Sequence, residues 1–257
     1  MILGIVQARI SSTRLPGKVT KSIMGEPMLA LQLERIRRSV LINELVVATS
    51  NETDDDEIAE LCTQRSIDCY RGSLDDVLDR FYQAAKIHAP DYIVRLTGDC
   101  PLVDPGVIDD VIAFCLKGGY DYASNTLDPT FPDGLDIEIC RFDKLQQAAN
   151  EAVLPSEREH VTSFIESRPD QFMLGSYRQD EDLSHLRWTV DEPEDFEVIQ
   201  RIYQALYPTN ADFRMAEILN LYQQHPELEQ LNARFTRNEA YKKSLREDAA
   251  FIQRNKL

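Results

Sequence analysis

Short apolar runs alternate with stretches of helical periodicity along the first half of the chain, and this alternation limits the fold more than any other feature. Buried strands are predicted at residues 2–8, 44–49, 68–71 and 92–96. Amphipathic helices are predicted at residues 28–39, 53–65, 77–88 and 105–117. This order predicts an α/β fold with a mostly parallel sheet and helices on both faces. Because ligands of such sheets bind beyond the carboxyl ends of the strands, we expect the chemistry in the loops after these four runs.

The second half of the chain is less regular. Strands are predicted at residues 137–140 and 188–190, and helices at residues 143–151, 157–167 and 194–206. From residue 226 the sequence is polar and predicts one or two further helices without a core of their own. We therefore expect one α/β domain over residues 1–225, followed by a helical tail over residues 226–257.

Composition narrows the class of protein. The chain has 257 residues, of which 43% are hydrophobic, enough for one substantial core. Its formal net charge of -16 repels phosphate backbones, so we expect no nucleic-acid partner. No window reaches the roughly 18 apolar residues of a membrane span, and no signal peptide is evident, so a cytoplasmic location is expected. The five scattered cysteines form no Cys-x-x-Cys pair, which argues against disulfides and a zinc site.

The loop after the first predicted strand concentrates positive charge in this acidic chain. Residues 9–18 contain three cations and three hydroxyl side chains: Arg9, Ser11, Ser12, Thr13, Arg14 and Lys18. Such a set can bind a triphosphate, although the Walker P-loop pattern is absent. The alternative is a solvated loop whose charges serve solubility. Because Arg14 and Lys18 lie in a predicted loop, we expect their truncation to cost little stability and to affect the chemistry.

Two aspartates follow predicted strands and are candidate metal ligands. Asp99 lies in the segment Gly98-Asp99-Cys100-Pro101, and Asp191 lies directly after the predicted strand at 188–190. Mg²⁺ prefers hard oxygen ligands of this kind. The alternative for Asp99 is that it only caps the helix that follows it. The acids after Asp191, which are Glu192, Glu194 and Asp195, are explained as residues that favour a helix N-terminus.

Several motifs together resemble a known family. They are Arg9-x-x-Ser12-x-Arg14-x-Pro16-x-Lys18, Gly25-x-Pro27-Met28, Tyr70-Arg71-Gly72-Ser73, Asp75-Asp76-Val77-Leu78-Asp79-Arg80-Phe81, Gly98-Asp99-Cys100-Pro101 and Val190-Asp191-x-Pro193-Glu194-Asp195. They resemble the CMP-sugar cytidylyltransferases that activate sialic acid, pseudaminic acid and 3-deoxy-manno-octulosonate, and most closely those of spore-coat polysaccharide biosynthesis. This resemblance implies the Rossmann-like, GT-A-like fold of nucleotide-diphospho-sugar transferases.

The resemblance also implies roles for individual residues. Arg9, Arg14 and Lys18 would bind the phosphates of CTP, and Asp99 and Asp191 would hold Mg²⁺. The remaining nucleotide contacts would come from Ala8, Ser12, Arg71, Thr97 and Gly98, with Arg71 near the base or ribose. The sialate and octulosonate members usually have Pro-Ala-Arg at the first motif and Gln before Gly-Asp, where this chain has Gln7-Ala8-Arg9 and Thr97. These departures leave the base and sugar contacts open.

Residues 125–180 would carry the acceptor site and a dimer contact, and we expect a homodimer. The resemblance places an acidic sugar against these residues: Pro132, Asp133, Gly134, Asp136, Glu138 and His160. His160 could orient or deprotonate a sugar hydroxyl, and the alternative is a structural histidine. The implied reaction joins CMP from CTP to the sugar and releases pyrophosphate.

Three other functions remain compatible with the sequence. A related enzyme using UTP or GTP needs the same phosphate loop. A GT-A-type glycosyltransferase is supported only by acidic clusters such as 54–56, which a solvated helix start explains as well. A nucleotide-binding paralogue without catalysis is the third alternative.

Overall fold

A mostly parallel sheet forms the centre of the molecule in the computed structural model, which describes residues 1–237 and 239–255. The strands are β1 Ile2–Gln7, β2 Ser22–Ile23, β3 Glu26–Pro27, β4 Glu44–Ser50, β5 Asp68–Gly72, β6 Tyr92–Thr97, β7 Tyr122–Ser124, β8 Glu138–Arg141 and β9 Leu174–Ser176. Within the described residues, seven of them form one sheet in the order β5-β4-β1-β6-β8-β7-β9. In this sheet β8 runs antiparallel to its neighbours β6 and β7, and the other neighbouring strands are parallel. The predicted α/β fold class is confirmed.

Helices cover both faces of this sheet. They are α1 Met28–Ile36, α2 Asp56–Gln64, α3 Val77–His88, α4 Pro105–Gly118, α5 Phe142–Glu151, α6 Pro155–Glu159, α7 Ser163–Glu166, α8 Pro193–Leu206, α9 Met215–Gln224, α10 Glu227–Gln230 and α11 Glu239–Asn255. On one face, Val6 and Val47 join a core that includes α1, α4 and α8. On the other, Ile5 and Ile93 join a core that includes α3 and α5. Strands buried on both faces need near-continuous apolar sequences, which is why the first-half strands could be predicted.

Local chemistry sets the ends of α4, which follows the loop that carries Asp99. The Asp104 side chain accepts a hydrogen bond from the Gly106 N–H at 2.8 Å and so caps the start of the helix. Gly119 adopts a left-handed conformation with φ 66° and ends the helix. The loop after β6 is therefore fixed between a strand and a well-capped helix.

Two predictions in the second half are wrong. The segment 188–190 is not a strand, because its backbone bonds to loops. The Trp188 N–H donates to the backbone carbonyl oxygen of Asp133 at 2.6 Å, and the Val190 N–H donates to the backbone carbonyl oxygen of Asp99 at 2.8 Å. The predicted helix at 157–167 is split into α6 and α7, and Val161 between them has a positive φ of 57°. A left-handed, β-branched residue interrupts a helix. The short strands β7 and β9 were not predicted.

The tail folds back onto the domain. Asp248 of α11 accepts hydrogen bonds from the Ser156 N–H at 2.9 Å and the Ser156 hydroxyl at 2.5 Å, at the start of α6. The predicted helices are present, although residues 238, 256 and 257 of the predicted tail lie outside the described residues. The division of the chain at residue 225 stays a prediction. Across the described part of the chain, none of the helices has the length and apolar character needed to span a membrane.

Candidate active site

The loops after β1 and β6 meet at the carboxyl edge of the sheet. The Gly98 N–H donates to the Gln7 carbonyl oxygen at 2.8 Å. A Cβ at position 98 would lie only 2.9 Å from that oxygen and 3.0 Å from the Ala8 side chain, so glycine is needed for this approach. Thr97 lies beside them, and its carbonyl oxygen accepts from Gln32 at 2.7 Å. Ala8, Thr97 and Gly98 are therefore brought together, and their role in nucleotide binding stays a prediction.

Lys18 links the two predicted metal ligands. Its Nζ lies 2.9 Å from Asp99 Oδ2 and 3.0 Å from Asp191 Oδ1, and donates to the Val190 carbonyl oxygen at 2.8 Å. Gly17, with φ 66°, turns the chain so that Lys18 begins a short 3-10 turn and its side chain enters the protein. Lys18 is buried, with 9% of its surface exposed. We call Lys18, Asp99 and Asp191 the lysine-carboxylate cluster.

Burial and pairing act in opposite directions on the charges of this cluster. Burial disfavours the charged form of Lys18, but the carboxylates of Asp99 and Asp191 outweigh it and raise the pKa of the ammonium. Burial likewise opposes ionisation of Asp99, yet Lys18 lowers the pKa of this carboxyl to about 2. All three groups are thus stabilised by opposite charge, and removal of Lys18 would take away the cation that is paired with Asp99.

The other two cations of the first loop remain closer to solvent. Arg14 is exposed, and its Nη2 lies 2.8 Å from Asp191 Oδ1, so it joins the same cluster from outside. Arg9 is also exposed. Burial and then the positive charge of Arg9 lower the pKa of Arg80, which belongs to α3, to about 10. The Ser12 hydroxyl accepts from the Leu15 N–H at 3.4 Å within the loop.

Arg187 was not predicted as a site residue, yet it contacts the lysine-carboxylate cluster through Asp191. It donates to both oxygens of Asp195, at 2.9 and 3.0 Å, to Asp133 at 2.9 Å and to Asp191 at 3.2 Å. Asp195 in turn accepts from the N–H groups of Asp191 and Glu192, each at 3.0 Å. Only the spacing of four residues between Arg187 and Asp191 signals this contact in the sequence. Arg187 therefore fixes the orientation of Asp191 and connects it to Asp133, one of the predicted acceptor residues.

The loop at residues 132–136, which carries four of the predicted acceptor residues and which we call the acceptor loop, is acidic and tightly packed. Gly134 has φ 107°, and a Cβ there would lie 2.5 Å from the Thr189 nitrogen, so glycine lets the loop contact the segment before Asp191. Burial, with Asp133 and Glu138 nearby, raises the pKa of Asp136 to about 7 even though Arg237 contacts it. Burial also raises the pKa of Asp133. Pro132 is buried beside them.

Three predicted site residues are engaged elsewhere. Glu138 is buried and bonds to Arg95, Tyr122 and Thr162. His160 Nε2 lies 2.9 Å from the Ser244 hydroxyl of α11, and burial followed by the charge of Arg95 lowers its pKa.

Arg71 donates to the Ser50 and Glu52 carbonyl oxygens at 2.9 and 2.8 Å, which ties β5 to the loop after β4. None of these contacts joins Arg71 directly to the lysine-carboxylate cluster. The contacts of His160 favour the structural alternative that the sequence leaves open, and the nucleotide role of Arg71 stays a prediction.

The donor set at the cluster fits a hard cation. Asp99 and Asp191 converge on one point, since both contact the same ammonium nitrogen. Mg²⁺ is commonly bound through one or two carboxylates together with substrate phosphates and waters, so two converging carboxylates suffice. Among the described residues, no group of three or more His, Cys, Asp or Glu side chains forms a metal site. A metal here would therefore depend on ligands brought by the substrate.

Comparison with known proteins gives the family. A cytidylyltransferase family model matches residues 3–245. The spore coat polysaccharide biosynthesis protein SpsF of Bacillus subtilis is 33% identical over 233 residues, covering 88% of this chain and 95% of that protein. The 3-deoxy-manno-octulosonate cytidylyltransferase of Geobacter sulfurreducens is 37% identical over 114 residues, or 44% of each chain.

A solved structure agrees over nearly the whole chain. A cytidylyltransferase from Leptospira borgpetersenii matches with a TM-score of 0.85 and 32% identity, covering 89% of this chain and 96% of that one. The resemblance inferred from the motifs is confirmed. With its strand-end cluster of charges and its family match over residues 3–245, this chain belongs to the cytidylyltransferase family and is a nucleotidyltransferase.

Proposed function

We propose that this protein transfers CMP from CTP to an acidic sugar of the nonulosonic-acid type and releases pyrophosphate, with Mg²⁺ as cofactor. The observation that carries the proposal is the lysine-carboxylate cluster, which lies at the carboxyl ends of the strands in a cytidylyltransferase chain. A similar protein acts on 3-deoxy-manno-octulosonate, which is an acidic sugar, and another serves spore coat polysaccharide biosynthesis. These names support a role in surface polysaccharide or glycan biosynthesis.

The chemistry follows from the charges. A sugar hydroxyl attacks the α-phosphorus of CTP, and pyrophosphate leaves. Asp99 and Asp191 would hold Mg²⁺, which supplies charge stabilisation at the phosphate oxygens. Arg14, at the exposed edge, binds phosphate through its guanidinium fork, and Lys18 offsets the charge that develops on the leaving group. Before substrate binds, Lys18 neutralises the two partly exposed carboxylates and keeps them converged.

A substrate matrix tests this proposal. CTP, UTP and GTP are each mixed with a panel of nonulosonic acids and with neutral hexoses, and pyrophosphate release is measured with and without Mg²⁺. We expect release only with CTP, an acid and Mg²⁺. Equal rates with UTP or GTP would assign the protein to a sister activity. Binding of CTP without turnover on any acid would support the paralogue without catalysis.

We also propose a homodimer. Large apolar side chains are exposed around α6 and α11 and in the acceptor half, at Val153, Met173, Leu245 and Ile252. A second copy of the chain could bury such side chains, which are costly to leave in water. Sedimentation at micromolar concentration should show a dimer, and a monomer alone would contradict this proposal.

A further inference from the structure

The segment after α10 returns to the active site. Asn232 Nδ2 donates to the Arg187 carbonyl oxygen at 2.9 Å and to Asp195 Oδ1 at 2.9 Å. Asn232 is buried, with 2% of its surface exposed. The segment is therefore anchored on the same network that orients Asp191, although it lies about 40 residues later in the chain.

Five residues after this anchor, Arg237 reaches the acidic acceptor loop. It contacts Asp136, donates to the Phe131 carbonyl oxygen at 3.2 Å and lies 4.0 Å from Asp133. Its side chain is 15% exposed, so it lies at the surface of the site and not in the core. Asp133 bonds to Arg187, and Arg187 bonds to Asp191. A short chain of contacts thus joins Arg237 to the predicted centre of the reaction.

An acidic acceptor creates a charge problem at this loop. Its carboxylate must approach Asp133 and Asp136, where burial and then the neighbouring carboxylates already raise both pKa values. The neighbouring cations are engaged: Lys18 holds two carboxylates, Arg187 holds three, and Arg95 is buried against Glu138. Arg237 has Asp136 as its main partner and keeps an edge open to solvent.

We propose that Arg237 binds the carboxylate of the acceptor sugar, so that the C-terminal segment completes the acceptor site and selects acidic sugars. A guanidinium binds a carboxylate through two parallel hydrogen bonds, which suits recognition of an acid over its neutral analogue. The inference rests on the proposed function, because it presupposes an acidic acceptor.

The test compares acid with amide. The kcat/KM is measured for an accepted nonulosonic acid and for its carboxamide, at saturating CTP, in wild type, Arg237→Ala and Arg237→Lys. Arg234→Ala is the matched control, because Arg234 lies in the same segment, is 69% exposed and pairs with Glu194 outside the site. We expect Arg237→Ala to lose roughly 10- to 100-fold in preference for the acid, with KM for CTP unchanged, and Arg237→Lys to fall between. The control should retain the wild-type preference.

A double variant separates recognition from simple neutralisation of Asp136. In Asp136→Asn/Arg237→Ala both partners of the ion pair lose their charge, so no carboxylate is left unpaired there. If Arg237 binds the sugar, this variant still fails to prefer the acid. A restored wild-type preference would overturn the inference, as would an unchanged preference in Arg237→Ala. A wild type that uses no acidic acceptor at all would overturn the proposed function and this inference with it.

Discussion

The charged groups differ between the proposed nucleotide side and the proposed acceptor side of the site. On the nucleotide side, Lys18 and Arg14 neutralise Asp99 and Asp191, and the pKa of Asp99 falls to about 2. On the acceptor side, burial together with the neighbouring carboxylates of Asp133 and Glu138 outweighs Arg237, and the pKa of Asp136 rises to about 7. The first arrangement is ready to exchange partners with a metal and a triphosphate. The second is a buried, carboxyl-lined setting that disfavours a further negative charge.

The largest expected effect is at Asp99. Asp99→Asn keeps the side-chain volume but removes one hard anionic ligand, so turnover should fall by roughly 10³-fold while the fold remains intact. Pyrophosphate release at limiting Mg²⁺ measures the turnover, and circular dichroism shows whether the fold is intact. The exposed Asp170→Asn serves as the control. Activity within a few-fold of wild type would show that Asp99 is not a metal ligand.

Replacing Arg14 or Lys18 by Ala should lower activity to a similar extent but should lower stability to different extents. Each Ala variant should lose roughly 10²-fold in kcat/KM for CTP, because phosphate contacts are lost where charge develops. The sequence predicts little stability cost for either variant, but for Lys18 the structure leads us to expect a larger cost, because the side chain is buried between two carboxylates. Lys18→Ala should cost about 3 kcal/mol.

Arg14 is exposed, so Arg14→Ala should change stability by less than about 0.5 kcal/mol. Thermal melts of the two variants, run beside the kinetics, check the difference. Near-normal pyrophosphate release in both would end the phosphate-loop interpretation. Equal melting temperatures would contradict the buried position of Lys18.

The raised pKa of Asp136 predicts a pH-dependent stability. Its pKa of about 7 in the folded state exceeds the ordinary aspartate pKa of 3.8, so between these pH values the folded state binds more protons than the unfolded state. The free energy of unfolding therefore falls as pH rises through this window. The effect of Asp136→Asn on the melting temperature should be more favourable at pH 8 than at pH 5, by about 2–4 °C. A difference that is the same at both pH values, or reversed, would contradict the electrostatics described for the acceptor side.

The smallest effect is expected at His160. Its contact with Ser244 links the α6–α7 junction to α11, so His160→Gln should cost about 1 kcal/mol of stability and leave kcat/KM close to wild type. Ser244→Ala should lower the melting temperature by a similar amount. A large fall in kcat with an altered pH profile, in His160→Gln but not in Ser244→Ala, would instead assign His160 to proton transfer.

The same contrast explains how much could be predicted. Lys18 and Asp99 are 81 residues apart, yet both follow apolar runs whose carboxyl ends meet, so their proximity follows from periodicity and the strand-end rule. The acceptor side has no such regularity. Arg237 contacts Asp136 across 101 residues, and Arg187 contacts Asp133 across 54, through loops without a repeating pattern. The segment 188–190 looks like a strand because apolar residues alternate there, but loop contacts satisfy its backbone instead.

Transfer of labelled phosphate tests the central claim most directly. The protein is incubated with an accepted nonulosonic acid, Mg²⁺ and CTP that is labelled either at the α- or at the γ-phosphate. The proposed reaction places the α-label in a sugar product and the γ-label in pyrophosphate, and Asp99→Asn abolishes both. A γ-label in the sugar, or release of pyrophosphate at the same rate without the acid, would contradict CMP transfer at the lysine-carboxylate cluster.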